Sequence, residues 1–210
     1  MSGQAQDEHE IIALLAVADS ATFERVYRRH NGAMLRLCAG VVKNQATAEE
    51  IVQETWVAVL ENIQGFEGRS SLAGWIYAIL MNKARTRLKR DGRSISFEDN
   101  GEEDSLQAAF DGRGRWKDRP DLWDDLTPEH ILAGKTALDH VSLAITRLPP
   151  AQRAVLLLRG QADLDPAEIC DILDISPANM RVLLHRARLA IRDTLDELQQ
   201  PAIGATPARR

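Results

Sequence analysis

Over the first ninety positions, apolar residues recur at three- and four-residue intervals, the period of helices that bury one face. Phe23, Val26, Tyr27, Met34, Leu37, Cys38, Val41 and Val42 mark the first such helix. Asn44-Gln45-Ala46 breaks the pattern, and Thr47 with Glu50 three residues on reads as a capping box that opens a second helix. Its buried set is Ile51, Val52, Trp56, Val59, Leu60 and Ile63. Gly65-Phe66-Glu67-Gly68 reads as a turn. Ser70 or Ser71 then caps a third helix, with Leu72, Trp75, Ile76, Ile79 and Leu80 inside and an end near Asp91-Gly92. No stretch here alternates as a half-buried strand does.

From Ser94 to Leu126 the periodicity disappears while acids and glycines accumulate. Such a segment buries too little apolar area to offset the entropy of ordering, which predicts a flexible acidic linker. Trp116 and Trp123 predict that it docks when a partner is present. Helical spacing returns at Thr127-Pro128, a cap followed by proline at the first helical position, and runs through Ile131, Leu138, Val141 and Ile145 to Leu148-Pro149-Pro150. A short apolar helix covers Ala151 to about Arg159. Asp165-Pro166-Ala167-Glu168 is a capping box for a two-turn helix holding Ile169, Ile172 and Leu173. Asp174-Ile175 turns the chain, and Ser176-Pro177 starts a long helix with a buried stripe of Met180, Leu184, Ala187, Ile191, Leu195 and Leu198. A short helix, a tight turn and a longer helix form the helix-turn-helix pattern. The fold class is therefore all-α, in two helical domains. The expected divisions are an N-terminal extension at 1–20, a helical domain at 21–93, the linker at 94–126, a second helical domain at 127–198 and a tail at 199–210.

Charge sharpens that division. The net charge of −5 is unpromising for a nucleic-acid binder, but residues 1–97 hold twelve Lys/Arg against eleven Asp/Glu and residues 135–210 hold ten against nine. Residues 98–134 hold four against eleven, so the connector alone makes the chain acidic. No apolar run approaches the roughly 20 residues that span a bilayer, which predicts no membrane insertion. The acidic start of MSGQAQDEHEIIALLAVADS is unlike a secretory signal and predicts a cytoplasmic location. Cys38 and Cys170 form no CxxC pair, and His9, His30, His130, His140 and His185 show no metal-binding spacing, each reading as a surface or capping group. Phosphate loops and nucleophile elbows are absent from the sequence. Neither an enzyme nor a cofactor or metal protein is expected.

Two basic segments remain. In Asn82–Arg93, Lys83, Arg85, Arg87, Lys89, Arg90 and Arg93 fall into stripes at 85, 89 and 93 or at 83, 87 and 90, suited to neutralising phosphates. Trp75 and Tyr77 lie upstream on the same helix, where aromatic faces meet the bases of melted DNA. A solvated helix end with Trp75 in the core explains the same residues. On the last helix Asn179, Arg181, Val182, His185 and Arg186 occupy the exposed side of the half that enters a major groove, with Arg188 or Arg192 further along for phosphate. A packed helical pair with a basic exterior is the alternative.

The stretch FERVYRRHNGAMLRLCAGVVKNQATAEEIVQETWVAVLENIQGFEGRSSLAGWIYAILMNKARTRLKR resembles region 2 of the extracytoplasmic-function (ECF) group of sigma factors, in the sigma-70 family. LPPAQRAVLLLRGQADLDPAEICDILDISPANMRVLLHRARLAIRDTL resembles region 4 of the same group. The resemblance implies a subunit that binds core RNA polymerase, through the β′ clamp helices and the β subunit, and selects promoter DNA. Gln53 and Glu54 match positions that bind the clamp helices, with Trp56 read as core. Glu67, Gly68, Arg69, Ser70 and Ser71 match the loop that captures a flipped −10 base. Trp75, Asn82, Arg85 and Lys89 match the helix that follows the non-template strand. Asn179, Arg181, Val182, His185, Arg186 and Arg188 lie on the helix that resembles the −35 reader, and the linker resembles the connector that threads into polymerase channels. The resemblance also implies stress-responsive transcription and control by an anti-sigma factor.

The chain departs from the family pattern in places. Its turn reads LDIS rather than LGIS, which requires Asp174 to tolerate the turn's backbone. Val182 and Leu183 replace small polar and basic residues, removing one phosphate contact at 183. ADLDPAEIC stands for GLSYEEIA, with Asp165 keeping a capping oxygen. Two other readings of the residues stay open: a polymerase-independent helix-turn-helix regulator, and a helical adaptor that binds only proteins. Neither requires a base-capturing loop.

Overall fold

The computed structural model describes residues 2–97, 134–162 and 164–199, with side chains at 8–97, 140–162 and 164–195. Among these residues the secondary structure is helical throughout. The N-terminal half holds α1 (Ser2–Ala16), α2 (Ser20–Val42), α3 (Gln45–Asn62), a 3-10 turn (Ile63–Gly65) and α4 (Leu72–Arg90). The C-terminal half holds α5 (Gly134–Arg147), α6 (Pro150–Gly160), α7 (Pro166–Leu173) and α8 (Pro177–Gln199). Most of the expected linker, its two tryptophans, the Thr127 cap and the tail lie outside the described residues.

Helix starts follow local side-chain chemistry. Asp19 accepts from the Thr22 N–H, and Ser71 caps α4 by accepting from the Gly74 N–H. Asp165 and Glu168 form the complete capping box of α7, and Ser176 Oγ accepts from the Asn179 N–H at 3.1 Å. Asp174 closes α7 in the left-handed region at φ 57°, so aspartate does fill the turn position where glycine is usual. The Thr47 capping box is corrected. Asn44 accepts from the Thr47 N–H and α3 starts at Gln45, because an extended asparagine placed earlier satisfies that donor first.

Packing joins α2, α3 and α4 around Met34, Leu37, Cys38, Ile51, Val52, Ile76, Leu80 and Met81, all nearly inaccessible to solvent. Trp56 is buried, as expected, and its indole N–H donates to Asn31. Four expectations are corrected. Leu60 and Tyr27 lie exposed rather than in the core, and His30 is buried rather than at the surface. Among the described side chains of α8 the buried ones are Met180, Leu183 and Ala187, with Leu184 and Ile191 half-buried, and Leu198 lies outside them; Leu183 therefore belongs to the interior, where lost charge is irrelevant to a phosphate. Periodicity finds the helix face but not which edge of it a neighbour covers.

The two halves abut. α6 and α7 pack on α2 and α4, and residues of both halves share one apolar cluster. An Arg153 Cδ would lie 3.2 Å from a Cβ at Gly40, so the glycine allows α6 to approach α2 closely. Arg36 donates twice to Gln161 Oε1, at 3.1 and 2.6 Å.

His30 sits edge-on to Tyr77, and burial, followed by the charge of Arg29, lowers its pKa from 6.5 to about 4. Above pH 6.5 both folded and unfolded chains hold a neutral ring. Below it the unfolded chain takes the proton first, so stability should fall between pH 6.5 and 4, by roughly 3 kcal/mol at most. Urea unfolding at both ends of that window should show the loss in the wild type and a much smaller one in His30→Phe; equal losses would count against this assignment.

Candidate nucleic-acid interface

Three surfaces carry the residues singled out from the sequence. On α3, Gln53 and Glu54 are exposed, and Val57 and Leu60 continue the same side at helical spacing. Val57 is 54% and Leu60 41% exposed, so two apolar groups flank the polar pair on an uncovered helix face. Neither is marked as an interface residue by the sequence motif, although the spacing 53–57–60 points to them.

Beside this face a groove runs between α3 and α4, walled by Ile51 and Glu54 on one side and by Asn82, Lys83, Thr86 and Arg90 on the other. Lys83 Nζ stands 3.6 Å from Glu54, and Arg87 Nη1 donates to Glu50 at 3.1 Å. The cationic stripes of α4 therefore divide. Positions 83 and 87 answer the acids of α3. On the other flank Arg85 lies over the Phe97 ring at 6.0 Å and Arg93 donates to the Val42 carbonyl at 3.2 Å, while Lys89 and Asn82 face solvent.

The second surface is the loop before α4. Phe66 packs on half-buried Trp75 with ring centroids 5.2 Å apart, which seats the loop on the helix that follows it. Gly68 takes φ +69°, a left-handed turn that exposes Glu67, Arg69 and Ser70. Glu67 and Arg69 pair at 2.7 Å in solvent. The first N–H groups of α4 are taken by acids from distant helices. The Ser71 N–H donates to Glu168 Oε1 at 2.7 Å, and the Leu72 N–H donates to Glu8 of α1.

The third surface is α8. Arg181 and Arg188 are exposed, whereas Asn179, Val182, His185 and Arg186 are half-buried. Burial, with Arg188 and Arg186 adding repulsion, holds the His185 pKa below its ordinary value. At neutral pH its ring is uncharged, with one donor and one acceptor. The Asn179 side chain donates to the Phe97 carbonyl at 3.1 Å, so this residue of the last helix is engaged by the N-terminal half. α7 packs against both α4 and α8. Among the described residues no His, Cys, Asp and Glu gather as a metal site, and no helix is long and apolar enough to cross a membrane.

Comparison with known proteins matches residues 26–94 to Sigma-70 region 2 and residues 139–191 to Sigma-70, region 4. A "Probable RNA polymerase sigma factor" of Haemophilus influenzae is 28% identical over 155 residues, covering 73% of this chain and 80% of that protein. The "ECF RNA polymerase sigma factor SigW" of Bacillus subtilis is 25% identical over 180 residues, covering 86% of this chain and 92% of that one. Among solved structures, CnrH in complex with the cytosolic domain of CnrY superposes with a TM-score of 0.51 at 19% identity, over 90% of this chain and 97% of that one. The sigma factor RpoE in complex with the anti-sigma factor NepR from Bartonella quintana gives 0.50 at 16% identity, over 93% and 98%. At those identities the likeness is one of fold.

The ion pairs between α3 and α4 are exposed and should contribute little, roughly 0.2–1 kcal/mol each. A double-mutant cycle on Glu54 and Lys83, read by urea unfolding, should give a coupling energy within that range. A larger coupling would mean that the groove is held by charge and not by the core beneath it.

Proposed function

The chain belongs to the sigma-70 family, in its extracytoplasmic-function group, and from that premise we propose that it is the promoter-specificity subunit of a bacterial RNA polymerase. It is a transcription initiation factor; the polymerase supplies the catalysis, and this chain supplies differential binding. The observation that carries the reading is the pairing of both family regions in order with an exposed polar and apolar face on α3, a seated loop before α4 and an exposed arginine on a helix-turn-helix. Gln53 and Glu54, joined by Val57 and Leu60, form the surface for the polymerase clamp. Glu67 to Ser71 capture an extruded −10 base, whose unstacking costs a few kcal/mol that the loop's contacts must offset. Trp75, Asn82, Arg85 and Lys89 follow the displaced strand. Asn179, Arg181, Val182, His185, Arg186 and Arg188 read or hold the −35 duplex. Its working place is the cytoplasm, its partners are core polymerase, promoter DNA and an anti-sigma factor, and no cofactor is required.

Glu54→Lys reverses the charge on the polymerase-facing side of α3. Since Glu54 is exposed and its pair with Lys83 is weak, the fold should survive. Titration against core polymerase should show a large loss of affinity at an unchanged thermal midpoint. Unchanged affinity would remove Glu54 from the interface.

The two DNA sites should separate. Arg181→Ala, at an exposed position, should weaken −35 binding by about 1–3 kcal/mol if the guanidinium makes a bidentate base contact, and leave a premelted −10 template nearly unaffected. Arg69→Ala with Ser70→Ala should do the reverse. Ser71 is left intact because its hydroxyl caps α4, and its loss would cost about 1 kcal/mol of stability unrelated to DNA. Reconstituted holoenzyme on paired and premelted templates makes the measurement. A loop variant that lost −35 binding as severely as Arg181→Ala would end this division of labour.

A further inference from the structure

We infer that Glu8 is a positioning residue of the −10 loop: α1 ties that loop down at both ends, and the bond from the Leu72 N–H to Glu8 fixes the end that opens α4. The inference rests on the sigma-factor reading, because it concerns the loop to which that reading assigns base capture. α1 lies outside the stretch matched to Sigma-70 region 2, which begins at residue 26, and none of the residues assigned to polymerase or DNA lies on it.

The face that α1 buries decides where Glu8 points. Ile11, Ile12 and Leu15 follow Glu8 at helical spacing, so all four share one side of the helix. Leu15 is buried, and Ile11 and Ile12 pack against the same core. Their packing on α2 and the 3-10 turn sets the rotation of α1. Glu8 is thereby turned to the start of α4, where its carboxylate accepts from the Leu72 N–H across 64 positions of sequence. At the other end of α1 the Ala16 carbonyl accepts from Gln64 Nε2 at 3.4 Å, in the 3-10 turn that leads into the loop. The two ties stand on the order of 12 Å apart along the helix, at 1.5 Å per residue. They bracket residues 66–71, where Glu67, Arg69 and Ser70 face solvent.

A helix start leaves its first N–H groups without acceptors inside the helix. Ser71 Oγ takes the Gly74 N–H at 2.9 Å, and the Leu72 N–H is left to Glu8. The carboxylate also complements the positive end of the α4 dipole. Without it that N–H turns to water, and the junction of loop and helix loses a fixed point. A loop ordered before DNA arrives does not pay its ordering entropy on binding, so the tie favours capture. Charge argues the other way. A carboxylate beside a nucleic-acid site repels phosphate, and by Coulomb's law alone removing Glu8 would strengthen binding. The two effects differ in sign, which makes the role measurable.

In holoenzyme reconstituted from the full-length chain and core polymerase, Glu8→Ala should bind a −10 non-template single strand about tenfold more weakly, the size of a hydrogen bond to a charged acceptor. Its discrimination among bases at the captured position should fall as well, while core-polymerase affinity and −35 duplex binding stay at the wild-type level. Glu8→Gln keeps an acceptor oxygen of about half the strength and should lose only about threefold. Glu10→Ala removes the same charge from an exposed position of α1 and should not weaken strand binding. Hydrogen exchange on the free chain should show the Leu72 amide protected in the wild type and exchanging about tenfold faster in Glu8→Ala. An unprotected Leu72 amide in the wild type, or unchanged or tighter strand binding by Glu8→Ala, overturns the positioning role. So does a loss in Glu8→Gln as large as that in Glu8→Ala, or an equal loss of −35 binding, which marks general unfolding. Transcription by wild-type holoenzyme, scored separately, tests the sigma-factor reading, and the exchange measurement does not depend on it.

Discussion

The α3 face and the loop before α4 are both positioned by the burial of one side of α4. Leu72, Ile76, Tyr77, Leu80, Met81, Ala84 and Leu88 are enclosed, and the helix packs on α2, α3 and α7. Fully burying side chains of this kind stabilises by about 1.5–3 kcal/mol each, against 1 kcal/mol or less for an exposed ion pair. The apolar face therefore decides the rotation of the helix, and its charges follow. Lys83 and Arg87 are turned toward the acids of α3, Arg85 and Arg93 toward the opposite flank, and Trp75 toward the loop that it seats.

That order of causes explains how an acidic protein serves a nucleic-acid function. The two helical halves are close to neutral, and part of the basic character of α4 is answered within the fold. With a net charge of −5, the chain has no overall cationic field to draw it to phosphate. The neighbouring α3 face carries Glu54, the acid that answers Lys83.

The seam between the halves adds polar contacts to the apolar cluster that both halves share. Arg36 with Gln161, Ser71 with Glu168 and Asn179 with Phe97 are polar contacts, each worth about 0.5–1.5 kcal/mol net, or about 1.5–3 where the carboxylate is the acceptor. The N-terminal extension adds to the same place, with Glu8 on Leu72 and Leu15 buried beside the 3-10 turn.

The amino-acid pattern left Ser70 and Ser71 as alternatives at α4 and gave no helix for α1, but the helices from α2 onward, their order, and the caps at Asp165 and Ser176 were legible in it, because a cap is an interaction among neighbours in the chain. So was the left-handed turn at Asp174, which needs only a residue that tolerates it. The pattern pointed to Thr47 as the cap of α3, whereas Asn44, read only as a break in the pattern, holds that place. Exposure of Leu60 and Tyr27 and burial of His30 were illegible for another reason: periodicity assigns a residue to a face, while the width of that face depends on which helix lies against it. Glu168 marks the limit most clearly. Its capping box is local and was readable, but its bond to Ser71 joins residues 97 positions apart, and only tertiary packing brings them together.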